Sequence, residues 1–246
     1  LYPCWLKMPR LRRYRLLLAT LSAIIAIGNS SSQDASETDF LNELRERLNF
    51  LDEAISESPN SHRLFQTRGE THFYLGDIEQ SIADFDRVIE LIPSQESRHW
   101  QRGISYYYAG EFAKGVAQFE LHQTVNPQDA ENAVWHFLCS ARVDGIAAAK
   151  QSLNPIARDY RVPMSQIWEL FSGEITPEIV LEAANANGTR QSLCYAHLYI
   201  GLYYEALGKG ELAEKHLRLA ANDHFVDNYM GLSLIHISEP TRLRRI

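Results

Sequence analysis

Cysteine is scarce: three residues in 246 cannot build the disulfide framework of a small secreted scaffold. Glycine and proline, at 13 and 9, are too few for a collagen-like or low-complexity chain. The longest apolar stretch, residues 16–27, is about a dozen residues, short of the roughly 20 that a membrane-spanning helix needs. There is no Gly-rich phosphate loop, no HExxH pair and no Ser elbow between a strand and a helix, so no catalytic, cofactor-binding or metal residues are assigned. Carboxylates are numerous but scattered at helical spacing, as on solvated faces. What remains is a chain that is 45% hydrophobic and 22% charged, with a formal net charge of −7, long enough for a substantial core.

The two ends distort that charge. Leu1 to Lys7 precede Met8, the first plausible initiator, and read as upstream translation. Arg10, Arg12, Arg13 and Arg15 then precede the apolar run, and Gly28, Asn29 and three serines follow it. This is the layout of a secretory signal, with cleavage expected after Gly28. An uncleaved anchor over 11–27 is the alternative. At the other end, residues 232–246 read LSLIHISEPTRLRRI. Their first eleven residues resemble the conceptual translation of a transposase-based sequencing adapter, so 232–246 is expected to be foreign to the protein. With it set aside, a tail that is disordered or an arbitrary helix is expected, and the natural chain is expected to continue past 231. Residues 1–28 carry five positive charges and 232–246 a net two, which leaves −14 on 29–231. An acidic body of this kind argues against nucleic-acid and anionic-membrane partners.

An internal period of 34 residues runs through the body. Gly69 and Gly103, Gly76 and Gly110, Phe85 and Phe119, Pro93 and Pro127, and Arg68 and Arg102 all keep it. Each unit reads as a helical hairpin. Helix A spans 62–74 after a cap at Ser61 and ends at Gly76. Asp77 and Gln80 suit a capping box for helix B, which places Ile78, Ile82, Phe85, Val88 and Ile89 on one face. Trp100, Gly103, Tyr106, Gly110, Phe112 and Phe119 repeat the pattern. Gly201, Tyr204, Gly208, Ala213, Leu217 and Ala220 form a third copy. Upstream, 40–58 is expected to be a lone helix B with Leu44, Leu48, Leu51 and Ile55 inward, capped by Asp39.

These residues resemble the tetratricopeptide repeat (TPR) family. The expected fold is an all-α, TPR-type helical-hairpin solenoid with a degenerate middle. Its expected parts are 1–28 (upstream residues and signal), a 29–38 linker and a 39–231 solenoid. The solenoid divides into an orphan helix 39–58, repeats 62–95 and 96–128, degenerate units 129–190, and a repeat 194–227. Ser81 and Gly115 depart from the small Ala usual in helix B and are expected to weaken packing. In the middle, helices are expected over 131–143, 146–153, 163–171 and, after Thr176-Pro177-Glu178, 179–186. Gly103 and Gly201 are 98 apart, not a multiple of 34, so the array should change course there.

The orphan helix, two regular units, a middle containing WELFSGEI (168–175) and a regular last unit together resemble the NlpI-like TPR lipoproteins of bacteria. That resemblance implies an exported, periplasmic or envelope-associated scaffold, often dimeric, that brings peptidoglycan hydrolases and a processing protease together. No lipidation Cys follows the signal, a departure from that family. The TPR resemblance also implies a concave groove on the A helices. The groove positions carried over are Arg63, Gln66, Glu70 and Phe73, then Trp100, Ile104, Tyr107 and Tyr108, then Tyr195, Leu198 and Leu202. Such a groove would suit protein or peptide partners with aromatic or apolar anchors. It lacks the Lys and Asn set with which co-chaperone TPR domains clamp a C-terminal carboxylate. The implied function is a non-enzymatic adaptor, with no cofactor. The alternative is a self-association module, a homodimer for instance, whose groove is filled by its own N-terminal helix. Tyr106 and Tyr204 are expected to pack between units. The pairs His136/Cys139 and Cys194/His197 each share a helical face, but their helices are expected to be too far apart to share one zinc ion. A Cys139–Cys194 disulfide is the other pairing open to an exported chain.

Overall fold

The computed structural model describes residues 29–237. The expected signal and the adapter-like residues beyond 237 lie outside the described residues. The chain divides after Phe40 into two units. Of the first, the described residues give only the opening of α1 (Asn29–Glu57). The second, Leu41–Ile246, holds every other described element, and all of these are helical. No Gly or Pro interrupts 29–58, so α1 is continuous from Asn29. Asp39 therefore lies inside a helix instead of capping one, and residues 29–38 are helical where a linker was expected. Among the described residues no helix is long and apolar enough to cross a membrane.

The first two hairpins follow the sequence pattern. Helix α2 (His62–Leu75) pairs with α3 (Ile78–Leu91), a short 3-10 turn (Pro93–Arg98) follows, and α4 (Trp100–Ala109) pairs with α5 (Phe112–Gln123). The A helices stop where Gly76 and Gly110 take φ of 82° and 78°, a left-handed backbone that costs glycine little. The expected capping box is not formed: Asp77 makes no cap bond, and its carboxylate faces His72 Nδ1 at 3.3 Å. Ser61 also stands at its cap position without a side-chain bond.

Close approach within each hairpin depends on a missing side chain. A methyl group on Gly69 would sit 2.7 Å from Phe85, and one on Gly103 would sit 2.7 Å from Phe119. The same contact recurs between Gly201 and Leu217. The two departures in helix B are accommodated. Ser81 is buried with its Oγ 3.1 Å from Ser105 Oγ on the next A helix, and the space beside Gly115 is taken by Cys139.

The middle comprises α6 (Ala130–Val143), α7 (Ile146–Gln151), α8 (Met164–Ser172) and α9 (Pro177–Asn187). Helix α6 is buried on almost every side, with Trp135, Phe137, Leu138 and Cys139 all inside. The reason is the last full hairpin, α10 (Arg190–Ala206) with α11 (Gly210–Arg218), whose first helix returns onto α6 and α8. Tyr199 Oη donates to Glu131 at 2.7 Å, and Tyr107 Oη donates to Glu205 at 2.9 Å across 98 residues of sequence. Arg161, from the connection ahead of α8, donates to Asp129, Glu131 and Asp159 and ties that connection to the start of α6. A π turn (Leu219–Asp223) then leads to α12 (Tyr229–Ile237). Leu232 and Leu234 of α12 are buried, so this part of the adapter-like segment is packed against the solenoid.

Candidate peptide groove

The A helices are held by the glycine contacts and by arginines that reach neighbouring B helices. Gln66, Glu70 and Phe73 of α2 and Trp100, Gln101 and Tyr108 of α4 are linked by hydrogen bonds and ring contacts. Glu70 accepts from Gln66 Nε2 at 2.9 Å and from Gln101 Nε2 at 3.4 Å, linking the two helices. Burial raises its carboxyl above the usual range, with the Gln66 bond working the other way. Tyr74 is raised chiefly by burial, and the Glu70 charge adds to it.

Tyr229, the first residue of α12, is seated among these groups. Its ring stacks on Phe73 at 4.9 Å between centroids and only 8° from parallel. It meets the edge of Trp100 at 5.0 Å and of Tyr74 at 5.6 Å. Tyr108 is tilted against Phe73 at 5.7 Å. Offset and edge-to-face arrangements of this kind match the aromatic quadrupole and bury large areas.

The carried-over positions therefore separate into groups. Phe73, Trp100 and Tyr108 come together around Tyr229, with Glu70 and Gln66 beside them. Arg63 is exposed and takes no part in this cluster. Ile104, Leu198 and Leu202 are fully buried packing residues. Tyr107 is buried and bonded to Glu205, with its ring edge-on to Trp135 at 5.4 Å. Tyr195 stacks on Tyr199 at 6.2 Å, over on α10. Among the expected packing residues, Tyr106 is buried under Arg102, whereas Tyr204 is only half-buried, near His216 and Lys209. The return of α10 explains the division: it fills the space in front of α6 that an open solenoid would leave.

Tyr229, Tyr74 and Trp135 belong to this aromatic system and are not among the groove positions carried over from the family. Residues 226–231 read as the start of a next helix, and α12 does begin there, at Tyr229, but the adapter resemblance set aside its continuation from 232. The helix that meets the groove aromatics is α12. The 41–57 part of α1, the expected occupant under self-association, instead reaches Arg68 on another face of α2 through Asp52, at 2.7 Å.

Both described cysteines, Cys139 and Cys194, are buried free thiols. Among the described residues no group of three or more His, Cys, Asp and Glu side chains is placed to hold a metal ion.

No protein-family model matches the chain, and no curated protein matches it in sequence. Solved structures do resemble it. A tetratricopeptide repeat protein from Parabacteroides merdae ATCC 43184 aligns with 14% identity and a TM-score of 0.51, covering 80% of this chain and 78% of that one. Yeast Tom70 aligns with 18% identity and a TM-score of 0.40, and the alignment covers 80% of this chain and 43% of Tom70. The first likeness, taken with the 34-residue hairpins, makes the fold an all-α helical solenoid of the TPR type.

Proposed function

We propose that this chain is a non-enzymatic adaptor that binds protein partners through the groove between α2 and α4. The observation that carries the reading is the seating of one helical segment there: Tyr229 is stacked on Phe73 and edge-on to Trp100. A concave face that already accepts an aromatic anchor on a helix has the chemistry of a helix-in-groove site. The acidic body and the absence of catalytic motifs support binding over catalysis. The basic and apolar N-terminal segment supports export, to the periplasm or envelope of a bacterium. The resemblance to NlpI-like proteins supports envelope hydrolases as the partner class.

The test is affinity capture from a bacterial envelope extract with the full chain and with Trp100→Ala. Circular dichroism establishes that both are folded. Partners recovered by the wild type and lost from the variant support the reading. The same partners in both would remove the groove from the function. A fusion of residues 8–28 to a reporter active only after export tests the localisation.

A further inference from the structure

Three imidazoles from three elements meet beside the last hairpin. His197 of α10 and His216 of α11 face each other, Nδ1 to Nδ1, at 3.0 Å. His224, directly after the π turn, lies 3° from parallel with His197, with 5.2 Å between ring centroids. His216 is buried, and the other two are half-buried. An Nδ1–Nδ1 hydrogen bond needs one ring to donate a proton and the other to present a lone pair, so one of the two imidazoles must be neutral. The bonded pair therefore holds a single positive charge at most. Protonating both turns two N–H groups on each other.

The surroundings come from four elements. Glu178 of α9 favours a charged His216, and Asp223 of the π turn favours a charged His197, whereas Lys215 of α11 opposes both. Tyr204 of α10 lies 5.7 Å from His216, under the Lys209 amine. Cys194, one turn back on α10, is a buried thiol. Burial, then the two neighbouring rings, push His197 down to about 4, and burial lowers His216. The π turn packs on α10 and α11, with Ala220 buried and its carbonyl 3.9 Å from the Cys194 thiol. Asn222 and Asp223 are exposed, and His224 ties that end of the turn to α10.

We infer that His197, His216 and His224 form an acid-released clasp that fastens residues 219–228 to the last hairpin. With the pair neutral or sharing one proton, the Nδ1–Nδ1 bond holds α10 to α11, and His224 rests on His197. A second proton, taken from solvent, breaks that bond and sets like charges side by side, so the connection parts from α10. Opened rings take up protons near 6.5, whereas the closed pair keeps one ring neutral well below that. The open form therefore gains as the pH falls. For one proton the opening constant rises about tenfold from pH 7 to pH 5.5. The connection so released is the one that carries the chain to Tyr229. The clasp itself lies apart from the α2–α4 groove and stands whether or not partners bind there.

The experiment is hydrogen–deuterium exchange of the full chain, read by mass spectrometry on peptides within 219–228, with rates corrected for the intrinsic effect of pH. In the wild type the opening constant should rise about tenfold between pH 7 and pH 5.5. His197→Gln removes a titrating ring and should leave it flat. His216→Gln should do the same, because a glutamine amide accepts from a protonated His197 as readily as it donates to a neutral one. Circular dichroism shows whether each variant folds, and either folded variant alone decides. No rise in the wild type would overturn the clasp. A tenfold rise kept by a folded variant would also overturn it, because the titrating group would then lie elsewhere.

Discussion

Arg102 Nη1 lies 2.7 Å from Asp86 Oδ1, sixteen residues back, and 34 residues earlier Arg68 Nη1 lies 2.7 Å from Asp52 Oδ1. Both arginines also reach sixteen residues forward, to Gln118 and Asp84. At the third step of the same register His136 Nε2 stands 3.7 Å from Glu120 Oε1, but neither ring nitrogen has a hydrogen-bond partner and burial lowers the imidazole's pKa. The first two A helices are thus bonded both to the B helix before and to the B helix after. Asp52 does for the first hairpin what Asp86 does for the second, which makes the 41–57 part of α1 a half-repeat serving as helix B.

The buried member of the first step is Asp84, whose side chain is 6% exposed. Arg68→Met leaves that carboxylate inside without its cation and should destabilise the protein by about 3–5 kcal/mol. Adding Asp84→Asn should recover part of the loss, with a coupling of about 1–3 kcal/mol. Urea denaturation of the two single variants and the double variant measures it. Additive losses would mean that the pair does not interact.

Gly103→Ala should cost about 1–3 kcal/mol, because the new methyl group meets the Phe119 ring at 2.7 Å and the ring is enclosed. Gly210→Ala, at the start of α11, meets nothing within 4 Å and should stabilise by about 0.4–1 kcal/mol. Thermal melts of the two variants should move in opposite directions. A stable Gly103→Ala would show that the hairpin can open without loss.

The hairpins were legible in the sequence because their signals are local. Gly69 and Phe85 share one contact, Gly76 ends one helix, and the 34-residue spacing repeats both. The return of α10 was not legible, since Tyr107–Glu205 and Tyr199–Glu131 join residues 98 and 68 positions apart and no period predicts them. The groove was legible in part. Family positions found Phe73 and Trp100, but they also nominated Leu198 and Leu202, which are buried where α10 packs against its neighbours. Capping residues were legible as types and not as bonds: Ser61 and Asp77 stand at their cap positions, but neither makes the cap bond, and Asp77 turns to His72.

Cys139 and Cys194 should not react with a thiol reagent in the native protein, and two thiols should appear on denaturation without reductant. Burial raises the Cys139 thiol and pushes Cys194 up to about 11, so little thiolate forms at neutral pH. Cys4 lies outside the described residues, and Cys4→Ser removes it from the measurement. No thiol after denaturation would mean a disulfide. Fast native labelling would mean that α6 or α10 opens.

His99 sets a pH dependence. It is buried against the Phe85 ring, 4.6 Å between centroids, and burial, followed by the Arg102 charge, pushes its imidazole down to about 4. The unfolded chain takes up this proton near 6.5, and the folded one only near 4. Between those values the unfolded state holds more protons, so stability falls as the pH drops from 6.5 to 4 and is flat above. The shift corresponds to about 3 kcal/mol over that window. His197, also pushed down to about 4, acts in the same direction, while Glu70 and Glu131, raised by burial, act in the opposite one. His99→Gln isolates the single group. Its stability deficit relative to the wild type at pH 7 should shrink by about 3 kcal/mol at pH 4, read from urea midpoints at four pH values. A deficit that stays constant across that range would show that His99 is protonated equally in both states.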